Sequence, residues 1–256
     1  MKKLVIALAA AATFSAPAIA ADMAAKAPRA AAPVAYAPSF TGCYIGAGGG
    51  GAYTNNDHNT FITATGVPTT FNTTTGARGW FGTVGAGCDY QVDRWVFGVF
   101  GDYDFMDVKG DIGNIFGAGL VGQQKQDWQW AVGGRIGYVV LPNLLGYVSG
   151  GFTQGHWKST NYSFFGALAP SFQTSGFTRD GWFIGAGDEY ALSFLPGLFW
   201  KTEYRYSEFD RANTPIVTLP ALAATGFSET QKIREHSVRS ELVYRFNWGG
   251  PVVAKY

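Results

Sequence analysis

Apolar and polar positions alternate along much of this chain, and the alternation is plainest between Asp127 and Val140. One set is Trp128, Trp130, Val132, Gly134, Ile136, Tyr138 and Val140; the other is Asp127, Gln129, Ala131, Gly133, Arg135, Gly137 and Val139. A period of two specifies a β-strand, here longer than the ~5–6 residues of an average one. The first face is apolar, with aromatic residues toward both ends. The second is small and polar, with Arg135 in its middle. A strand of a soluble sandwich also alternates but buries its apolar face. Aromatics at both ends of a long apolar face, opposite glycine and arginine, suit a strand with lipid outside and a crowded polar lumen inside.

The same pattern recurs. Thr41 to Tyr53 is the first strand, with Cys43, Ile45, Ala47, Gly49, Gly51 and Tyr53 on the outer face. Gly79 to Gln91 turns Trp80, Val84, Cys88 and Tyr90 outward. Arg94 to Val108 turns out Trp95, Phe97, Val99, Tyr103 and Phe105, and turns in Asp102 and Asp104. Asp127 to Leu141 is the fourth strand and Leu144 to Trp157 the fifth. The faces of the fifth are ambiguous; pairing Val140 with Leu145 across the short turn places Leu145 and Tyr147 outward. Gly181 to Leu192 turns out Trp182, Ile184, Ala186 and Tyr190. Leu198 to Phe209 puts Trp200, Tyr204 and Tyr206 opposite Lys201, Glu203, Arg205 and Ser207. Glu235 to Trp248 puts Val238, Leu242, Tyr244 and Phe246 opposite Arg239, Glu241 and Arg245. These are eight strands, an even number, as single-chain bacterial barrels have. Val92-Asp93, Pro142-Asn143 and Pro196-Gly197 make short turns. Residues 54–78, 109–126, 159–180 and 210–234 make long connections rich in Asn, Thr, Gly and Ser. Short periplasmic turns alternating with long outer loops is the layout of such a barrel. The expected fold is therefore an all-β, eight-stranded, antiparallel up-and-down transmembrane barrel over residues 40–248.

The N-terminus reads differently. Lys2 and Lys3, the apolar run Leu4 to Ala12, and Ala18-Ile19-Ala20 form a secretory signal peptide over residues 1–20. Residues 21–39, with Pro28, Pro33 and Pro38, form an Ala/Pro-rich periplasmic linker that cannot bury enough surface to order itself. A short tail, 249–256, follows the last strand. Composition agrees: 35 glycines, 16% aromatic and only 14% charged residues, against about 25% charged in a soluble domain. The net charge of +1 carries no nucleic-acid signal, and no apolar run beyond the N-terminus is long enough for a membrane helix.

At FTGCYIGAGGG, GAGCDYQ, GGRIGYVVLPNLLGYVSGG, GWFIGAGDEYAL and LVYRFNW the chain resembles the small outer-membrane immunogenic proteins of alphaproteobacteria, eight-stranded porin-family barrels related to the membrane domain of OmpA. The resemblance runs from about Phe40 to Trp248. It implies an outer-membrane location and a structural or surface-antigen role without enzymatic activity. Two departures stand out. Asp188 occupies an outward position usually apolar in the family, so it should lie near the periplasmic rim, where charge is tolerated. The final strand's aromatic terminus falls at Phe246, yet Asn247 to Tyr256 follow, so the assembly signal is internal or Tyr256 substitutes for it.

Both cysteines, Cys43 and Cys88, face outward by parity. If they oppose each other then Tyr53 opposes Arg78, a register that matches the strand ends. An exported chain with two cysteines favours a disulfide; the alternative is two free thiols packed against lipid. The three histidines, His58, His156 and His236, lie far apart, and no catalytic, metal or phosphate-loop motif is present. GAGGGG at Gly46 to Gly51 lacks the following helix that a dinucleotide loop requires. No catalytic site, metal or cofactor is expected. The inward charges are the candidate for function: Asp102, Asp104, Arg135, Glu189, Lys201, Glu203, Arg205, Arg239, Glu241 and Arg245. Eight strands leave room only for their own side chains, and buried charges must be paired, so a charged plug is favoured over a selectivity filter. The expected role is envelope integrity and display of outer loops. A narrow diffusion pore is the main alternative, an outer-membrane enzyme or a soluble ligand-binding barrel a lesser one. The partners implied are outer-membrane lipid and lipopolysaccharide, and the outer-membrane assembly machinery during biogenesis. No nucleic acid is expected, and the ligands of the outer loops are left open.

Overall fold

The structure is a computed structural model that describes residues 38–113, 119–165 and 167–246. The signal peptide, the linker up to residue 37, Asn247, Trp248 and the tail lie outside the described residues. In chain order the strands are β1 (Gly42–Ile62), β2 (Thr73–Val92), β3 (Trp95–Gly113), β4 (Leu120–Leu141), β5 (Leu144–Trp157), β6 (Thr160–Phe164), β7 (Phe172–Thr174), β8 (Phe177–Ala191), β9 (Leu198–Phe209), β10 (Ala212–Thr218) and β11 (Ala224–Phe246). The ring runs β1-β2-β3-β4-β5-β8-β9-β11, all antiparallel, and β11 closes on β1 from Cys43↔Phe246 to Ile62↔Phe227. Closure removes the free edges that an open sheet would present. Cys43 and Cys88 are register partners joined by a disulfide, and Tyr53 does face Arg78.

The long connections differ from expectation. Most of residues 54–62, 73–78, 109–113, 120–126 and 224–234 are strand, so β1, β2, β3, β4 and β11 run far past the ends of β5, β8 and β9. The gap above those three shorter strands is filled by β6, β7 and β10: β6 pairs with β4, β7 with β6 and β10, and β10 with β11. The barrel thus carries a second closed storey at its loop end. The sequence pattern hides it because on upper β1 both faces are polar. Thr54, Asn56, His58 and Thr60 are buried inside, while Asn55, Asp57 and Asn59 alternate with them outside.

Two bulges overturn two face assignments. At the Pro142-Asn143 turn Leu141 pairs with Leu144 and Val139 with Leu145, so Val140 is the extra residue and the register shifts by one. Leu145 and Tyr147 consequently point inward and are buried. A second irregularity separates Gln126↔Trp157 from Trp128↔His156. It turns Asp127, expected on the inner face, toward His156 and Lys158 on the outside. A bulge reverses side-chain parity along a strand, and nothing in local composition announces it.

The outer surface of the main storey is apolar. Ile45, Val84, Val99, Val132, Ile136, Val148, Ile184 and Leu242 are all exposed. One aromatic ring, including Tyr90, Trp95, Tyr138, Tyr190 and Tyr244, borders the turn end; another, including Tyr53, Trp80, Phe105, Trp182 and Tyr204, borders the loop end. Trp80 and Tyr90 are ten positions apart on β2. At about 3.3 Å per residue and a tilt of about 40°, the two rings stand roughly 25 Å apart, the height of an outer-membrane apolar band. Asp188 is outward and exposed, opposite Gly146 and one outward position above Tyr190.

Candidate functional site

Inside the main storey the ten charges singled out by strand parity are all buried. They form two groups. Nearer the turn end, Arg135 and Arg245 face Glu189 and a carboxylate not singled out from the sequence, Asp89. Arg135 donates Nε–H to Asp89 Oδ1 at 2.9 Å and Nη2–H to Asp89 Oδ2, and Nη2 lies 3.0 Å from Glu189 Oε2. Arg245 donates to Asp89 Oδ2 at 2.7 Å and to Glu189 Oε1 at 2.5 Å. Two cations and two carboxylates therefore close a square. The Tyr44 ring lies between the guanidiniums, 4.8 Å from that of Arg135 and 4.9 Å from that of Arg245. Gly87 makes room for it: a Cβ there would fall 2.5 Å from the Tyr44 hydroxyl. Asp89 was legible by parity, since Cys88 and Tyr90 on either side of it face outward.

The second group lies deeper. Arg205 holds Asp102 with two bonds, 3.0 and 2.8 Å, and donates Nε–H to Glu203 Oε1 at 2.8 Å. Arg239 donates to Asp104 Oδ2 at 2.9 Å and lies 3.2 Å from Asp102. Lys201 donates to Glu241 at 3.2 Å, and the Tyr147 hydroxyl, turned inward by the bulge at Val140, donates to Glu203 Oε2 at 2.9 Å. Rings fill the spaces between charges. The Arg205 guanidinium is 4.3 Å from the Phe183 ring and that of Arg239 is 5.3 Å from Phe81. Gly133 is required beside Phe183, where a Cβ would meet the ring at 2.8 Å.

Apolar clusters lie above and below these charges. Toward the turn end Phe40, Val96, Leu145, Phe199 and Val243 pack together, and the Phe40 carbonyl accepts from Arg245 at 2.7 Å. In the second storey Ile112, Leu120, Tyr162 and Ile216 form another cluster. Just inside it, Glu229 Oε2 accepts from Tyr162 at 3.0 Å and from Gln231 at 2.9 Å, and its Oε1 lies 3.1 Å from His58 Nδ1. Glu229 and His58 are buried polar groups in segments read from the sequence as loops, and Glu235, the first residue of the expected eighth strand, is a further buried carboxylate that was not singled out.

The histidines do not converge. His58 is inside the second storey; His156 stacks on Trp128 and contacts Asp127 outside; His236 shares a hydrogen bond with Tyr204 outside, on β11. No group of three or more His, Cys, Asp or Glu among the described residues has the arrangement of a metal site.

The family model for the outer membrane protein β-barrel domain matches residues 6–246. The chain belongs to that family. Its apolar band is therefore the lipid-facing surface of an outer-membrane barrel, its short turns face the periplasm and its second storey faces outward. Among curated relatives, the 31 kDa outer-membrane immunogenic protein of Brucella melitensis biotype 1 is 34% identical over 252 residues, covering 95% of this chain and all of that protein. The 25 kDa outer-membrane immunogenic protein of Brucella abortus biovar 1 is 26% identical over 255 residues, covering 96% and 99%. Among solved structures, the outer-membrane protein OprG of Pseudomonas aeruginosa is similar with a TM-score of 0.48 and 14% identity, over 80% of this chain and 97% of that one.

Proposed function

We propose that this barrel is a closed structural element of the outer membrane that displays its outer storey at the cell surface, and that it is neither a pore nor an enzyme. The paired charge network carries the reading. Each of the ten charges, with Asp89, has an opposite charge in contact, and the aromatic rings of Phe81, Phe183 and Tyr44 occupy the spaces between them. A filter that passes ions needs charges that water can reach and exchange; here each charge is buried against an opposite one, which leaves none exposed to a permeant ion. The apolar clusters at both ends favour the same reading. The turns at residues 63–72, 167–171 and 220–224 are the most exposed parts of the outer storey, and the names of the Brucella relatives support a role as surface antigens. Biogenesis through the outer-membrane assembly machinery belongs to this proposal. Planar-bilayer recording of the purified chain tests it: the expected result is no steady conductance at either polarity. A reproducible open level in the unmodified protein would replace this reading with a narrow diffusion pore.

A further inference from the structure

The outside of the barrel carries a collar of charged residues just beyond the loop-end aromatic ring, and most of it is balanced. Arg234 pairs with Asp57 at 2.7 Å and lies 3.7 Å from Glu208; Lys232 pairs with Glu208 at 2.7 Å; Lys158 lies 3.9 Å from Asp127. One sector is not balanced. Arg78 on β2 is the register partner of Lys109 on β3, which is the partner of Lys125 on β4. All three share the outward face, as an unbroken row of cations across three adjacent strands. Like charges directly opposed on neighbouring strands destabilise a sheet. Two carboxylates flank the row on β3: Asp107, whose Oδ1 takes Lys109 Nζ at 3.0 Å and Lys125 Nζ at 2.6 Å, and Asp111, exposed on the same face two positions beyond Lys109 and in no ion pair among the described residues. Arg78 has no ion-pair partner among the described residues.

Arg78 sits directly above Trp80 at the edge of the apolar band, while Asp107 separates Lys109 from Phe105 and Asp127 separates Lys125 from Trp128. Beside the row a shallow open groove of about 750 Å³ descends the lipid-facing wall. Gly51 and Gly79 floor it, Trp80, Tyr204 and Val238 line its sides, and Arg78 stands at its upper rim. A cationic row meeting an apolar furrow at the bilayer boundary is complementary to one kind of molecule: an anionic head on an acyl body, held at that depth by the membrane itself. A soluble polyanion would match the cations and leave the furrow unused.

We propose that Arg78, Lys109 and Lys125 bind the phosphate of a phosphorylated glycolipid of the outer leaflet, with one of its acyl chains in the furrow beneath Arg78. This assigns a site to the lipid contact that membrane placement implies, and it is independent of whether the lumen conducts. The guanidinium donates two parallel bonds to phosphate oxygens, and the two ammoniums, already drawn together by Asp107, supply further charge-assisted donors.

The test uses the full chain folded in detergent, with bound lipid read by native mass spectrometry and with diphosphoryl lipid A, dephosphorylated lipid A, phosphatidylcholine and inorganic phosphate as probes. The expected result is retention of diphosphoryl lipid A at least about tenfold above the two uncharged or zwitterionic lipids, on the scale of one charge-assisted hydrogen bond. Arg78→Gln/Lys109→Gln/Lys125→Gln should lose that preference while keeping its heat-shifted electrophoretic band. Should the triple variant fail to fold, Arg78→Gln alone carries the test, because Arg78 has no ion pair to lose. Equal retention of phosphorylated and dephosphorylated lipid overturns the proposal, as does undiminished preference in a folded variant. Displacement of the lipid by millimolar inorganic phosphate would overturn the glycolipid as occupant and leave a free-ion site.

Discussion

Replacing Asp89 by Asn tests whether the lumen charges act as a dry, mutually dependent set. The Asp89 side chain is fully buried. It accepts from Arg135 Nε at 2.9 Å, from Arg135 Nη2 and from Arg245 Nη1 at 2.7 Å. The amide keeps the shape and one acceptor but removes the charge, leaving two guanidiniums against Glu189 alone. Removing one partner of a buried ion pair costs about 3–5 kcal/mol, and the retained acceptor puts this case near the lower end, about 3 kcal/mol. Arg135→Met restores the balance by deleting one cation. The double variant should therefore be less damaged than the two single losses added together, by about 1–3 kcal/mol of coupling. Urea unfolding in lipid vesicles, read by the loss of the heat-shifted band, measures all three. A loss below about 1 kcal/mol for Asp89→Asn would place the pair in the range of solvent-screened surface bridges. The turn-end square would then be wet, and the argument for a closed lumen would lose its main support.

Three other outcomes follow from the same geometry. Cys43→Ser/Cys88→Ser opens a closure of 45 residues and should cost on the order of 4 kcal/mol by the loop-entropy model; equal urea midpoints for oxidised and reduced wild-type protein would refute it. Val132→Arg, midway along the lipid-facing part of β4 between Trp128 and Tyr138, should lose about 2–4 kcal/mol, while Asp188→Arg near the periplasmic rim should lose about 0–1 kcal/mol; equal costs at the two sites would mean that the band is misplaced. In the outer storey, the hydroxyl of Thr74 and then Arg234 hold the Asp57 carboxyl below its ordinary value of 3.8. A lowered folded-state value gives stabilisation that is complete above the ordinary value and lost as pH falls through the lowered one. Protection of upper β1 and β11 amides, corrected for intrinsic exchange, should hold from neutral pH to about 4 and fall in stronger acid. The fall should begin at higher pH in Arg234→Gln, and identical acid profiles for the two proteins would contradict the assignment.

The main storey was legible because lipid and lumen impose opposite demands on alternate residues. Trp128, Ile136 and Tyr138 against Arg135, or Tyr204 against Glu203 and Arg205, leave no ambiguity about which way a strand faces. Over upper β1, β4 and β11 the second storey has water outside and hydrogen-bonded amides inside, as at Asn56, Gln124 and Gln231, so there neither face is apolar and the period of two carries no contrast, and its buried apolar cluster comes from the scattered positions Ile112, Leu120, Tyr162 and Ile216. The bulges at Val140 and Asp127 were invisible for a different reason: one extra residue leaves composition unchanged while reversing every assignment beyond it. Partner choice across the lumen was out of reach as well. Parity says that Arg245 and Asp89 both point inward, but only the closed ring brings residues 156 positions apart to 2.7 Å.

The charges inside this barrel have a consequence for register that their pairing energy does not express. Buried ion pairs are often worth no more than well-packed apolar groups of the same volume, so stability alone gives weak reason to keep them. In a membrane the comparison changes. A slip of one residue turns every side chain of a strand to the other face, and for β11 it would aim Arg239, Glu241 and Arg245 at acyl chains. Each arginine so placed costs up to about 2–4 kcal/mol near the midplane, while the displaced valine, leucine and tyrosine would enter a lumen with no polar group left to pair the opposing carboxylates. An apolar lumen would carry no such penalty, because lipid and interior would then accept the same residues. The ionic interior therefore tells the strand which side is inside, and the glycines at 87 and 133 and the rings of Tyr44 and Phe183 are shaped around that choice.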